Sequence, residues 1–336
     1  INNMDNPNIR FNSILKKMNC CFGINDIFDV YYDKNNNNEL YLICPSDNYS
    51  LSITRLRDNQ LIKSLEGHED QISFVKHFYN DFNQKDYLIS ASKKSVVKVW
   101  DLTNDYNLLF SIYIDYSENT KIFSCIALFI ENKENYLITS SNENKKNDFT
   151  KIYDFNTLKF IKNLEFTNLF EIFCLLLWKK DDKDYLIQSS IGKILIHNLE
   201  TKELLKILES NIKSCQNSMC LINDPDTKKL DLLCATTIHG SIDFWDLRTF
   251  TLKFSVKYKS SYFYDITNWN DNYIIIAEKF DSSIIIIDIL QRRVITVLKN
   301  NNICFSISLK KINHPIYGQS LLSSDINNNI FLWTHV

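Results

Sequence analysis

Leu65-Glu66-Gly67-His68, followed about thirty residues later by Val97-Lys98-Val99-Trp100-Asp101, is the stretch from which the fold is read. It is one copy of a weakly self-similar unit that recurs roughly every 45 residues, and a repeat of that period decides the architecture before any local assignment does. Trp100 and Trp245 each precede an aspartate (Asp101, Asp246), and Trp333 closes Ile330-Phe331-Leu332-Trp333. The first gap suits three units and the second gap two, each of about 40–50 residues. Between these anchors the same slot returns with its aromatic changed: Ile152-Tyr153-Asp154, Ile196-His197-Asn198 and Ile286-Ile287-Asp288. Upstream, Ser50-Leu51-Ser52-Ile53-Thr54 fills a first slot, which makes seven.

Each slot sits in the same local grammar. An apolar run precedes it, as in Tyr87-Leu88-Ile89-Ser90, Tyr136-Leu137-Ile138-Thr139 and Tyr185-Leu186-Ile187-Gln188. A polar turn leads into the slot, and another leads out to a run such as Leu61–Leu65, Leu158–Ile161 or Val294–Val297. Runs of about 4–8 residues, rich in Ile, Val, Tyr and Phe and bounded by Asn, Asp and Ser, are strands. No long segment sustains an apolar period of 3.6. The chain is predicted to be all-β.

Residues 67–101 resemble a WD40 repeat: Gly67-His68, the apolar pair Ile72 and Val75, Leu88-Ile89-Ser90-Ala91-Ser92 and Trp100-Asp101 occur in the family's order. The resemblance extends along the chain at the right phase, although this one copy carries most of it. It implies a seven-bladed β-propeller of four-stranded antiparallel blades, read as a single domain over residues 1–336. Stacking blades radially covers the two apolar faces that each small sheet would otherwise expose. The last blade runs out of chain at Val336 after three strands, so Arg10-Phe11-Asn12-Ser13-Ile14-Leu15 is expected to complete it as its fourth.

The net charge of −2 provides no electrostatic footprint for nucleic acid or an anionic membrane. No apolar run approaches the roughly 18 residues of a membrane-spanning helix. Five glycines, where an average composition would give more than about twenty, leave asparagine to occupy positive-φ turns such as Asn35–Asn38, Asn300–Asn302 and Asn327–Asn329. The same scarcity removes P-loop, dinucleotide and Gly-x-Ser-x-Gly chemistry, each of which needs two glycines within about six positions. His68, His77, His197, His239, His314 and His335 form no His-Glu-x-x-His and no zinc-finger spacing. No catalytic residue, cofactor or metal is therefore expected. Nine cysteines cannot all pair within one chain, and Cys125, Cys174 and Cys220 are placed in the first strands of blades as free thiols. That usage points to a reducing, cytoplasmic setting. An extracellular assembly is the alternative if an amino-terminal signal has been removed.

WD40 blades commonly bury an Asp–His–Ser/Thr–Trp hydrogen-bond network. Here the aspartate position holds Lys94, His239 and Asn327 in the three Trp blades, while Asp281 in blade six lacks the Trp. The blades are therefore expected to rely on apolar packing, with Gly67, His68, Trp100, Asp101, Trp245, Asp246 and Trp333 as the structural motif. The resemblance implies a non-enzymatic scaffold or adaptor for proteins or peptides. Its alternatives are a structural subunit of a homo-oligomer or filament, and a propeller hydrolase. Binding is expected at the turns entering each first strand and joining the second to the third. Candidate residues there are Asp70, Lys94, Asn119, Phe170, His239, Tyr262 and Phe280, the aromatics being natural interface anchors.

Overall fold

A computed structural model describes residues 11–16, 28–46, 48–94, 96–114, 122–128, 135–141, 150–164, 172–209, 216–237, 239–259, 262–279, 283–299, 306–325 and 329–335. It is a seven-bladed β-propeller in class: 28 strands in seven four-stranded antiparallel sheets. Among the described residues there is no helix, and so none long and apolar enough to cross a membrane.

Strand β1 (Phe11–Lys16) comes first in the chain. Blade one is β2 (Asp29–Asp33), β3 (Glu39–Pro45), β4 (Leu51–Arg55) and β5 (Gln60–Leu65). Blade two is β6 (Ile72–Asn80), β7 (Lys85–Ser92), β8 (Val96–Asp101) and β9 (Asn107–Tyr113). Blade three is β10 (Ile122–Leu128), β11 (Tyr136–Ser141), β12 (Thr150–Asp154) and β13 (Phe160–Asn163). Blade four is β14 (Cys174–Lys180), β15 (Lys183–Ser190), β16 (Lys193–Asn198) and β17 (Glu203–Glu209). Blade five is β18 (Gln216–Ile222), β19 (Leu232–Thr237), β20 (Ser241–Asp246) and β21 (Thr251–Lys257). Blade six is β22 (Phe263–Asn270), β23 (Tyr273–Glu278), β24 (Ser283–Asp288) and β25 (Arg293–Lys299). The seventh sheet holds β26 (Ser306–His314), β27 (Gly318–Asp325) and β28 (Ile330–His335), with strand order β1-β28-β27-β26.

Contacts group the chain into two compact units, Cys20–Ile207 and a second made of Ile1–Asn19 with Leu208–Val336. In the first, apolar clusters fill the spaces between consecutive blades. Ile43, Ile53, Val75, Leu88 and Trp100 form one, and Ile89, Val99, Ala127, Leu137 and Tyr153 form the next. In the second unit Ile222, Phe244, Ile266, Ile276 and Ile287 pack together, as do Trp269, Ile275, Ile286, Leu321 and Trp333.

All seven slots fall at one register position. Thr54, Trp100, Tyr153, His197, Trp245, Ile287 and Trp333 lie opposite Leu42, Leu88, Leu137, Leu186, Leu233, Ile274 and Leu321 of the preceding strand. A register shift marks the slot in the pairing with the outer strand, between Ile53 and Thr54, Val99 and Trp100, Ile152 and Tyr153, Phe244 and Trp245, and Ile286 and Ile287. Such a bulge adds local twist at a fixed point of each sheet. Two residues past the slot, one backbone bond recurs: the N–H groups of Leu56, Leu102, Phe155, Leu199, Leu247 and Ile289 donate to Leu40, Asp86, Asn135, Asp184, Asp231 and Asn272 carbonyls. The aspartate after the slot has a role in this module. Oδ1 of Asp101, Asp154, Asp246 and Asp288 accepts backbone N–H groups of the following turn, as Asn198 does in blade four. A short acceptor side chain at that point substitutes for a missing backbone partner.

Asparagine fills only part of the positive-φ positions. Asn37, Asn38 and Asn59 sit at φ 51°, 55° and 60°, but the turn after the slot in blades two to six places Asp105, Leu158, Lys202, Phe250 and Arg292 at positive φ. The tight turn dictates that conformation, and surrounding pairing imposes it on Leu158, Lys202, Phe250 and Arg292, which do not favour it. The asparagine run 300–302, with Asn327 and Asn328, lies outside the described residues.

Candidate functional site

The slot residues are positioned by packing and by the residue two places beyond their cross-strand partner. In blade two that residue is Ser90, whose Oγ accepts the Trp100 indole N–H at 2.9 Å and meets His68 Nε2 at 2.7 Å. In the seventh sheet Trp333 Nε1 donates to Ser323 Oγ at 2.9 Å. Polar chains thus persist where a reliance on apolar packing was expected. The missing aspartate leaves a visible mark: with Lys94 in its place, His68 Nδ1 is buried without a partner among the described residues. In blade five the equivalent residue is Ala235, and the Trp245 indole N–H is buried with no acceptor among the described residues. Blade four exchanges both members, with Gln188 Nε2 3.5 Å from His197 Nδ1 and Thr150 Oγ1 donating to Gln188 Oε1 at 3.1 Å.

Two outcomes follow. Ala235→Ser supplies the absent acceptor and is expected to stabilise the protein by about 1 kcal/mol. Equilibrium unfolding in urea measures it, and a loss of stability would show that Ala235 is too tightly packed to take an oxygen. Second, burial, with the charge of Lys98 beside His68 and of Lys162 beside His197, pushes both imidazoles down to about 4 from an ordinary 6.5. The unfolded chain then binds protons that the folded chain refuses, so the stability present above pH 6.5 is lost as the pH falls towards 4. On the order of 1–2 kcal/mol for each histidine should be missing at pH 5 relative to pH 7.5. His197→Gln should reduce that slope by about half; an unfolding midpoint indifferent to pH over this range would contradict the assignment.

In blades two and six, backbone bonds bring the turn entering the first strand beside the turn joining the second to the third. In blade two the Lys93 N–H donates to the Gln71 carbonyl, which brings Asp70 and Lys94 to the same end. Asp70 accepts the Gln71 N–H at 2.8 Å, and Lys94 is exposed. In blade six the Lys279 N–H donates to the Tyr262 carbonyl. His239 is an exposed residue of the β19–β20 turn, where the Tyr258 N–H reaches the Gly240 carbonyl. Asn119, Phe170 and Phe280 lie outside the described residues.

Blade six concentrates the chemistry. Tyr262 and Tyr264 meet edge to face at 5.3 Å, and the Lys279 ammonium lies 5.0 Å from the first ring and 5.7 Å from the second. Tyr264 and Lys279 were not singled out by sequence reading, although the two-residue period of a strand would have put Tyr264 on the side of Tyr262. Two half-buried rings with a cation over them offer apolar area, phenolic donors and positive charge together.

Elsewhere in the first unit a cleft of about 510 Å³ opens beside the outer strands of blades three and four, lined by Phe160, Lys162, His197, Lys202, Glu203 and Leu204. Lys162 Nζ donates to the Lys202 carbonyl at 3.2 Å. Among the described residues, no three His, Cys, Asp or Glu side chains are placed to hold a metal ion. Cys125, Cys174 and Cys220 do lie in first strands, but only Cys125 is fully buried; Cys220 is opposite Cys234 in the β18–β19 ladder. Burial and the neighbouring Cys220 sulfur raise the Cys234 thiol well above its ordinary value. Compared with known proteins, the sequence matches no family model and no curated protein at a significant level.

Proposed function

We propose that this chain is a divergent WD40-type propeller that acts as a non-enzymatic scaffold, holding a protein or peptide partner at the ends of blades where first strands begin and second strands turn into third. A β-propeller is commonly an interaction scaffold, and this surface is offered by the fold itself. The observation that supports the reading is the Tyr262–Tyr264–Lys279 cluster, because tyrosines are frequent anchors of an interface. An acidic or amide-rich peptide segment would satisfy both the ammonium and the phenol groups. Buried thiols outside any disulfide at Cys125 and Cys234 support a reducing, cytoplasmic setting. The amino-terminal strand as the closing fourth strand of the last blade belongs to the same proposal.

The test is a variant carrying Tyr262→Ala and Lys279→Glu. It should melt like the parent while its affinity for a partner identified with the parent protein falls at least about tenfold, the effect of losing one interface anchor. Undiminished binding would remove this end of blade six as the site.

A further inference from the structure

Consecutive blades meet at a repeated point near their outer strands. One side is the outer-strand residue opposite the position just before the slot: Lys63, Phe110, Lys162 and Phe254. The other side, from the next blade, is the residue of the turn that leaves its slot: Asp105, Leu158, Lys202 and Arg292, all at positive φ. Three of these pairs are chemically matched. Lys63 Nζ lies 3.6 Å from Asp105 Oδ1. Phe110 and Leu158 pack against one apolar cluster. The Arg292 guanidinium sits 4.7 Å from the centre of the Phe254 ring, a cation–π contact.

The fourth pair, between blades three and four, sets two cations together. Lys162 Nζ donates to the Lys202 backbone carbonyl at 3.2 Å, and among the described residues it has no carboxylate partner of the kind that Asp105 gives Lys63. The cleft of about 510 Å³ opens at this same point, and Lys162 and Lys202 both line it. Its slot residue is His197, which fills less space than the Trp100 indole at the meeting of blades one and two. Phe160 and Leu204 add apolar walls, 54% and 40% exposed.

We propose that this cleft binds an organic monocarboxylate with an apolar body, whose carboxylate takes up between Lys162 and Lys202 the role that Asp105 has beside Lys63. The volume is in the range of small-molecule sites, about 300–1,000 Å³. Each ammonium can give the carboxylate a charge-assisted hydrogen bond. Glu203 also lines the cleft and His197 is neutral at pH 7, so the lining carries one net positive charge. That balance suits a single negative charge and resists the second charge of a phosphate. The apolar body covers Phe160 and Leu204, and the water it displaces no longer screens the ion pairs. The proposal is independent of the blade-six reading.

Calorimetric titration of the full chain with hydrocinnamate tests it. The acid should bind saturably at one site, and its uncharged amide at least about tenfold more weakly, the effect of losing a charged hydrogen bond. Lys162→Gln, at an exposed position, should weaken the acid by a similar factor with the melting curve unchanged. Lys202→Asp installs the internal carboxylate found in blade two, and aspartate tolerates positive φ better than lysine does. That variant should melt no lower than the parent and lose the binding. Absence of saturable binding at millimolar acid overturns the proposal, as does equal affinity for acid and amide. Binding that survives Lys202→Asp overturns it too, and tighter binding of phenyl phosphate than of the acid overturns the assignment to a monocarboxylate.

Discussion

Trp100→Ala is expected to lower the unfolding free energy by about 3–5 kcal/mol, the usual cost of truncating a buried aromatic. The indole is 3% exposed and packs with Tyr31, Ile43, Val75, Leu88 and Leu102, so its removal leaves a void in the apolar space joining blades one and two. Its N–H also satisfies Ser90 Oγ, which His68 shares, and the truncation would strip one partner from a buried polar chain. Trp333→Ala should cost as much, because the same packing and the same serine bond recur there. Trp245→Ala belongs at the low end of the range, since that indole makes no hydrogen bond among the described residues. Urea unfolding at neutral pH measures all three, and a loss below about 1 kcal/mol at Trp100 would mean that the slot is not the joint it is taken to be.

Removing residues 1–18 is the second large effect. β1 runs antiparallel to β28 over six residue pairs, from Phe11 opposite His335 to Lys16 opposite Ile330. Without it, β28 becomes an open edge bearing the sequence Ile330-Phe331-Leu332-Trp333, the kind of uncharged apolar strand that recruits other chains. Truncation is expected to lower the melting temperature on the order of 5–10 °C, for a chain of this size a loss of several kcal/mol, and to promote aggregation near the transition. A truncated chain that melts with the parent would show that the amino-terminal strand does not secure the last blade.

How much of this was legible beforehand depends on which physical signal carried it. The slots were readable because cross-strand packing demands a large or apolar residue at one register position, and that demand recurs at the period of a blade. Even Thr54, His197 and Ile287, unrecognisable alone, fall opposite a leucine or isoleucine as Trp100 does. The positive-φ turns were only half readable. Asn37 and Asn38 follow residue preference, but Leu158, Lys202, Phe250 and Arg292 adopt the conformation because the tight turn leading out of the slot strand requires it. The serine bonds do not depend on the absent aspartate: Ser90 and Ser323 accept the indole N–H groups without it. Of the seven proposed contact residues, Tyr262 acquired its importance from Lys279, whose ring contacts depend on the β22–β23 hairpin bringing its two ends together.

The joint exchange at the slot has a consequence for how such chains diverge. Trp sits beside Ser, His beside Gln, and Ile287 beside Ile276, each pair complete in itself, while Trp245 beside Ala235 is caught with one member changed. Moving from one pair to another by single steps passes through an orphaned donor or a misfit, as the buried Trp245 indole shows among the described residues. Any comparison that weighs positions one at a time discards this linkage, and kinship among such propellers is better sought in paired substitutions than in matching letters.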